Sequence, residues 1–180
     1  MMLSLLLLSA TLHSGSTDTA RVASRSSPVS QQAAPALAVT QADSIVVEKG
    51  PRKMTLFLHG LPLKSYAVAL GPNPMGDKER QGDGRTPEGV FRIEAHNPNS
   101  RYHLALRISY PDVAHRMRAD ALGVPAGGDI MIHGLPRGFE SVGAAHLEQN
   151  WTEGCVAVTN AEIEEIARAV RDGTPVEIKP

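Results

Sequence analysis

Short runs of alternating hydrophobic and polar residues fill most of this chain. Ser44-Ile45-Val46-Val47-Glu48 and Lys53-Met54-Thr55-Leu56-Phe57-Leu58 are rich in branched and apolar residues, as half-buried strands are. His59-Gly60 then supplies a tight turn into residues 63–70, which alternate polar and apolar, so a hairpin is predicted. Gly71-Pro72-Asn73-Pro74 ends it, and a polar, Gly-rich loop runs to Gly84. Residues 90–95 read as the next strand and residues 102–109 alternate again. Further strands are expected at Ile130-Met131-Ile132-His133, at residues 155–158 and at Pro175-Val176-Glu177-Ile178.

Two segments carry a helical period instead. Pro111 opens the first, with Val113, Met117 and Ala121 at four-residue spacing, and Gly123 stops it. In the second, Thr159-Asn160-Ala161-Glu162 forms a capping box: the Thr159 hydroxyl satisfies one free amide and Glu162 reaches back to another. Behind that cap Ile163, Ile166, Ala167 and Val170 mark a buried face, while Glu164, Glu165 and Arg168 face water. Between residues 134 and 154 a loop with one helical turn is expected. Strands outnumber helices without alternating with them, so the fold class is mainly β with peripheral helices.

The N-terminal part has a different composition. Residues 1–12 are apolar, with no charge before Asp18, too short for a mature span but suited to a secretory signal. The expected division is a signal peptide over residues 1–20, a flexible Ser-, Ala-, Gln- and Pro-rich linker over 21–42, and one domain over 43–179. Export to the periplasm or cell envelope follows, with no membrane span in the mature chain. A net charge of −1 leaves no basic footprint for nucleic acid.

Candidate chemistry centres on Cys155, the single cysteine, which has no internal disulfide partner. It lies in Trp151-Thr152-Glu153-Gly154-Cys155, where glycine lets the backbone approach a substrate and a thiol can attack a carbonyl. A thiol needs its thiolate stabilised, and the apolar strand ending at His133 offers an imidazole to hold it as an ion pair. The bland alternative for Cys155 is a small buried hydrophobe. One internal echo stands out: Leu58-His59-Gly60-Leu61-Pro62 against Ile132-His133-Gly134-Leu135-Pro136. His59 reads as a turn residue. His133 does not, because no complementary strand follows Pro136.

His133-Gly134 followed by Thr152-x-Gly154-Cys155 resembles the active-site signature of the L,D-transpeptidase catalytic domain, or YkuD domain, a family of bacterial cell-wall enzymes. Ala69-Leu70-Gly71, the stretch from Gly82 to Gly89, Asn97-Pro98-Asn99-Ser100 and the stretch from Gly128 to Gly134 resemble that family in its order. The resemblance is to the branch with Gly-Cys-Val/Ile-Ala-Val-Thr-Asn at the nucleophile. It implies a β-sandwich-like catalytic fold and Cys155 as nucleophile with His133 as base, acting on peptidoglycan stem peptides. Amides around Gly154 and Cys155, with Thr152 orienting, would hold the oxyanion. An amine acceptor gives a crosslink or an attached wall protein; water gives hydrolysis by the same acyl-enzyme. No cofactor and no metal are implied.

Two departures bear on the substrate. Many members carry Arg two residues after the nucleophile, where this chain has Ala157, so Arg85, Arg101 or Arg137 must supply a carboxylate partner. The position before the motif glycine, often His in relatives, is Glu153, which leaves His133 as base and His146 as its competitor. Two other readings stand beside this one. His133, His146, Cys155 and Asp129 are a mixed ligand set for zinc, but lack the close His or Cys pairs of structural sites. A catalytically silent wall-binding module is the other.

Overall fold

A computed structural model describes residues 41–180. The signal and linker readings, residues 1–20 and most of 21–42, lie outside the described residues. Eight strands form one hydrogen-bonded series: β1 (Ser44–Glu48), β2 (Lys53–Leu58), β3 (Leu61–Ala67), β4 (Gly89–Ser100), β5 (His103–Ile108), β6 (Met131–His133), β7 (Val156–Ala157) and β8 (Pro175–Lys179). Their spatial order is β3-β2-β1-β8-β4-β5-β6-β7. The helices are α1 (Val113–Ala121) and α2 (Asn160–Ala169), with a 3-10 segment at Glu140–Glu148 kinked at Gly143. The mainly-β expectation therefore holds.

Strand β4 organises the domain. Its first residues, Gly89 to Arg92, pair with β8, and from Ile93 onward it pairs with β5 across two register shifts. Those irregularities bend the strand, so one element serves both halves of the series. Inward-facing Ile45, Val47, Leu56, Phe91, Ile93, Leu106, Ile132, Val156 and Val176 merge into one core with Ile163 and Ile166 of α2. Each such side chain contributes about 1.5–3 kcal/mol by leaving water.

The turn and cap expectations match. His59 and Gly60 have φ of 53° and 76°, the left-handed pair that a two-residue hairpin turn demands. Thr159 and Glu162 exchange both bonds of the capping box. Two boundaries and one helix face differ. β3 ends at Ala67 because Ala69 leaves the hairpin and exchanges both backbone bonds with Ala157. β4 runs on through Pro98, which a register shift accommodates, instead of stopping at residue 95. Helix α1 turns His115 and Ala119 inward, leaving Val113 64% and Met117 66% exposed. The reason is polar: His115 is buried between Asp112 and Asp77 at 2.7 and 3.0 Å, an arrangement that overrides the apolar spacing.

Candidate active site

The strands nearest His133 and Cys155 are neighbours. β6 lies between β5 and β7, with His133 opposite Ala105 on one side and Ala157 on the other. The parallel β6–β7 pair brings Cys155, one residue before β7, beside Met131 at the start of β6. Behind Cys155 the loop is stitched to residues 69–71. The Thr152 N–H donates to the Leu70 carbonyl at 3.1 Å, and the Asn150 side chain accepts from the Leu70 N–H at 3.0 Å.

Glycines make that seam possible. A Cβ on Gly154 would lie 2.5 Å from the Arg85 carbonyl oxygen, and one on Gly71 would collide with the Gly84 carbonyl. Three stretches singled out in the sequence, around Gly71, Gly84 and Gly154, are therefore one backbone-to-backbone cluster under Cys155. Thr152 ties the turn: its hydroxyl donates to the Cys155 carbonyl at 2.7 Å and accepts from the Gly154 N–H at 3.2 Å. The Gly154 N–H is thus already engaged, and of the two candidate amides only that of Cys155 is left to face an oxyanion.

His133 is buried and rigidly held. Its Nδ1 lies 2.7 Å from the Gly134 carbonyl oxygen, an atom that can only accept, so Nδ1 carries the proton and Nε2 the lone pair. Tyr102 stacks on the ring with centroids 4.3 Å apart, and Trp151 approaches edge-on at 5.7 Å. Asn160 secures the next residue, its side-chain oxygen accepting from the Leu135 N–H at 2.7 Å.

Electrostatics set the resting protonation. Burial pushes the His133 imidazole down to about 4, against the partial support of its bond to Gly134. Burial likewise pushes the Cys155 thiol up to about 11, despite an opposing Met131 N–H. The sulfur donates to the Asp129 carbonyl at 3.5 Å, a group placed there by the left-handed φ of 52° at Asp129. At neutral pH the pair is therefore a thiol and a neutral imidazole, not the ion pair expected from the sequence.

Cys155 and His133 line one cavity of about 650 Å³, with Trp151, Thr152, Asn97, Asn99, Arg101 and Lys78. Arg101, whose guanidinium lies 4.9 Å from the Tyr102 ring centre, is the one of the three expected arginines found there. The Arg85 guanidinium turns to the Asp77 carbonyl and to Glu79, facing another cavity. Arg137 is exposed, and its backbone N–H donates to the Arg101 carbonyl. His146 lines a separate apolar pocket with Trp151. Among the described residues no three His, Cys, Asp or Glu side chains group as metal ligands.

Sequence reasoning missed Lys78 and Tyr102. Lys78 is buried, 2.7 Å from Asp83, and lines the cavity. Burial alone would raise the Asp83 carboxyl, but Lys78 and three backbone N–H groups hold it down at about 2. A lysine in a polar loop gives no sign of burial. Tyr102 had a signal in its scarcity, being one of three tyrosines and following Arg101 at the hairpin return.

Comparison with known proteins agrees with this fold. The family model described as the L,D-transpeptidase catalytic domain, YkuD, matches residues 42–178. YafK of Escherichia coli (strain K12), which carries the L,D-transpeptidase name provisionally, is 32% identical over 110 residues, or 60% of this chain. The chain spans 37% of the length of that relative. Among solved structures, the helical cell shape determining protein Pgp2 of Campylobacter jejuni superposes with a TM-score of 0.59 at 24% identity, covering 79% of this chain and 51% of that one. Bd1075 of Bdellovibrio bacteriovorus gives 0.54 at 23%, covering 78% and 51%. Both share the fold. Among the described residues no helix is long and apolar enough to cross a membrane. With its model matched from the first strand to the last, the chain belongs to the L,D-transpeptidase catalytic domain family.

Proposed function

We propose that this chain is a cell-envelope cysteine acyltransferase that takes its acyl group from a peptidoglycan stem peptide. One observation carries the reading: the sole thiol and an imidazole with its lone pair on Nε2 line the same cavity. His133 Nε2 removes the Cys155 proton as sulfur attacks the peptide carbonyl and the S–C bond forms. The Cys155 amide faces the oxyanion. The C–N bond then breaks, His133 returns the proton to the departing amine, and a thioester remains.

An incoming amine repeats these steps in reverse and completes transfer; water in its place completes hydrolysis. Arg101 supplies the cation for a donor carboxylate, taking the part that Ala157 cannot. Arg85 and Arg137 act through their backbones. Membership in the family and the shared cavity support the donor class, and a wall donor requires export, with residues 1–20 removed. The acceptor is a wall amine or a wall-attached protein.

The test is intact-protein mass after incubation with purified disaccharide-tetrapeptide wall fragments. Wild type should gain the mass of the acyl group on Cys155, and Cys155→Ala should gain nothing. Released products then separate transfer from hydrolysis. Fragments left untouched by wild type would refute the reading.

A further inference from the structure

A second, smaller cavity of about 280 Å³ lies between Leu135, Pro136, Phe139, Val142, His146 and Trp151. It adjoins the cavity of Cys155, since Trp151 lines both. Its wall residues Leu135 and Pro136 directly follow His133-Gly134, and the Trp151 ring meets the His133 ring edge-on at 5.7 Å. Phe139 keeps more than half of its surface in water and Val142 about two-fifths. His146, only 6% exposed, has neither ring nitrogen hydrogen-bonded, and the Trp151 indole N–H is likewise buried without a partner among the described residues. The surface this pocket presents is thus apolar throughout, with the His146 and Trp151 nitrogens lying behind it.

We infer that this pocket is a subsite for one bulky apolar side chain on the amine fragment of the reaction, which makes that fragment a polypeptide amine carrying a Leu- or Phe-sized residue. The inference rests on the acyl-transfer reading and deepens it. The amine nitrogen must come within hydrogen-bond reach of His133 Nε2, because its proton passes there, while the acyl group is fixed on Cys155. A substituent on the amine is therefore directed to the His133 side, where Trp151 is the shared wall. In the transfer step the amine nitrogen forms the C–N bond, the C–S bond breaks, and the amine proton passes through His133 to the departing sulfur. A pocket of this volume takes a single large side chain, and none of its lining residues carries a fixed charge.

The experiment loads the enzyme with acyl group from tetrapeptide wall fragments and offers glycinamide, L-leucinamide and L-phenylalaninamide together in equal amounts. Mass analysis of the products should show the two bulky amides favoured over glycinamide about tenfold or more. Val142→Glu, which puts a charge on the rim, and separately Phe139→Ser should bring that ratio toward one. Emission from Trp151, the only tryptophan, should change saturably with L-leucinamide and not with glycinamide. An acyl-enzyme that forms and transfers to all three amides alike overturns the subsite while leaving acyl transfer standing. No acyl-enzyme at all refutes the acyl-transfer reading, and the amine subsite with it.

Discussion

Two five-residue segments of this chain differ at one position, and they meet opposite fates. Leu58-His59-Gly60-Leu61-Pro62 forms the tip of a hairpin, with the His59 side chain 85% exposed. Ile132-His133-Gly134-Leu135-Pro136 leaves the end of an interior strand, and His133 is 1% exposed. Local sequence cannot cause the difference, since His-Gly-Leu-Pro is common to both. Strand pairing causes it. β2 pairs with the strand that follows it directly, so the chain must reverse at His59-Gly60 through two left-handed residues. β6 already has β5 on one edge and β7 on the other, and the Gly134 N–H donates to the Leu104 carbonyl, so no reversal is available at His133. The chain continues into the Asn160 bond and leaves the imidazole under Tyr102. A histidine becomes a candidate base here through the partners of its strand.

The comparison breaks first on activity. His133→Gln should lower acyl-enzyme formation by about 100- to 10,000-fold, the range for loss of a positioned proton-transfer group. His59→Gln should leave it unchanged, because His59 reaches only Asp43 at the surface. Rates of acylation on Cys155, followed by mass, decide it. Equal losses in the two variants would mean that burial of His133 serves the fold alone.

Protonation sharpens it next. His133 has its folded pKa pushed from 6.5 down to about 4 by burial, so between those values the unfolded chain binds the proton and the folded one does not. The sign is therefore a stability fully present above pH 6.5 and lost as pH falls toward 4, worth roughly 3 kcal/mol across the window. Urea midpoints measured at pH 7 and pH 4.5 should fall further for wild type than for His133→Gln, which has nothing to protonate. The thiol gives a related test at a smaller effect. With Cys155 raised to about 11 from an ordinary 9.0, iodoacetamide at pH 7 should label it about 100-fold more slowly than a free thiol, in step with the thiolate fraction. Rapid labelling at pH 7 would restore the ion pair.

The sequence showed the strands, both helices and the capping box, because each depends on neighbours close along the chain. Through motif spacing it singled out Cys155 and His133, which line one cavity. It did not show that the glycines of three separate stretches pack together under Cys155, since their contacts span up to 83 residues between Gly71 and Gly154. Nor could the inward face of α1 be read from Val113 and Met117. His115 is held inside by Asp77, a partner 38 residues away, and no period encodes that. The three arginines looked equivalent in sequence. Arg101 is set apart by its place on the cavity and over the Tyr102 ring, and both are tertiary facts.

The smallest expected effect lies in the two glycines of the echo. At Gly60 a Cβ meets nothing within 4 Å, but the φ of 76° is left-handed, so Gly60→Ala carries backbone strain alone, about 1 kcal/mol. At Gly134 the φ is unremarkable for any residue, yet a Cβ would stand 2.6 Å from the Asn160 side-chain oxygen and 3.1 Å from the Tyr102 carbonyl. Gly134→Ala must therefore push aside the Asn160 bond to Leu135 and the residue that covers His133, at a cost of about 1–3 kcal/mol for overpacking. Thermal unfolding should rank Gly134→Ala below Gly60→Ala. Acylation of Cys155 should fall in the first and not in the second, because the strain at Gly60 ends at the hairpin while the displaced Asn160 bears on the loop that accepts the His133 proton bond. Removing that obstruction with Asn160→Ala in the Gly134→Ala background should recover part of the lost stability if the clash is the cause. No recovery would place the cost at Ile163, 3.0 Å from that Cβ, or at the Tyr102 backbone instead.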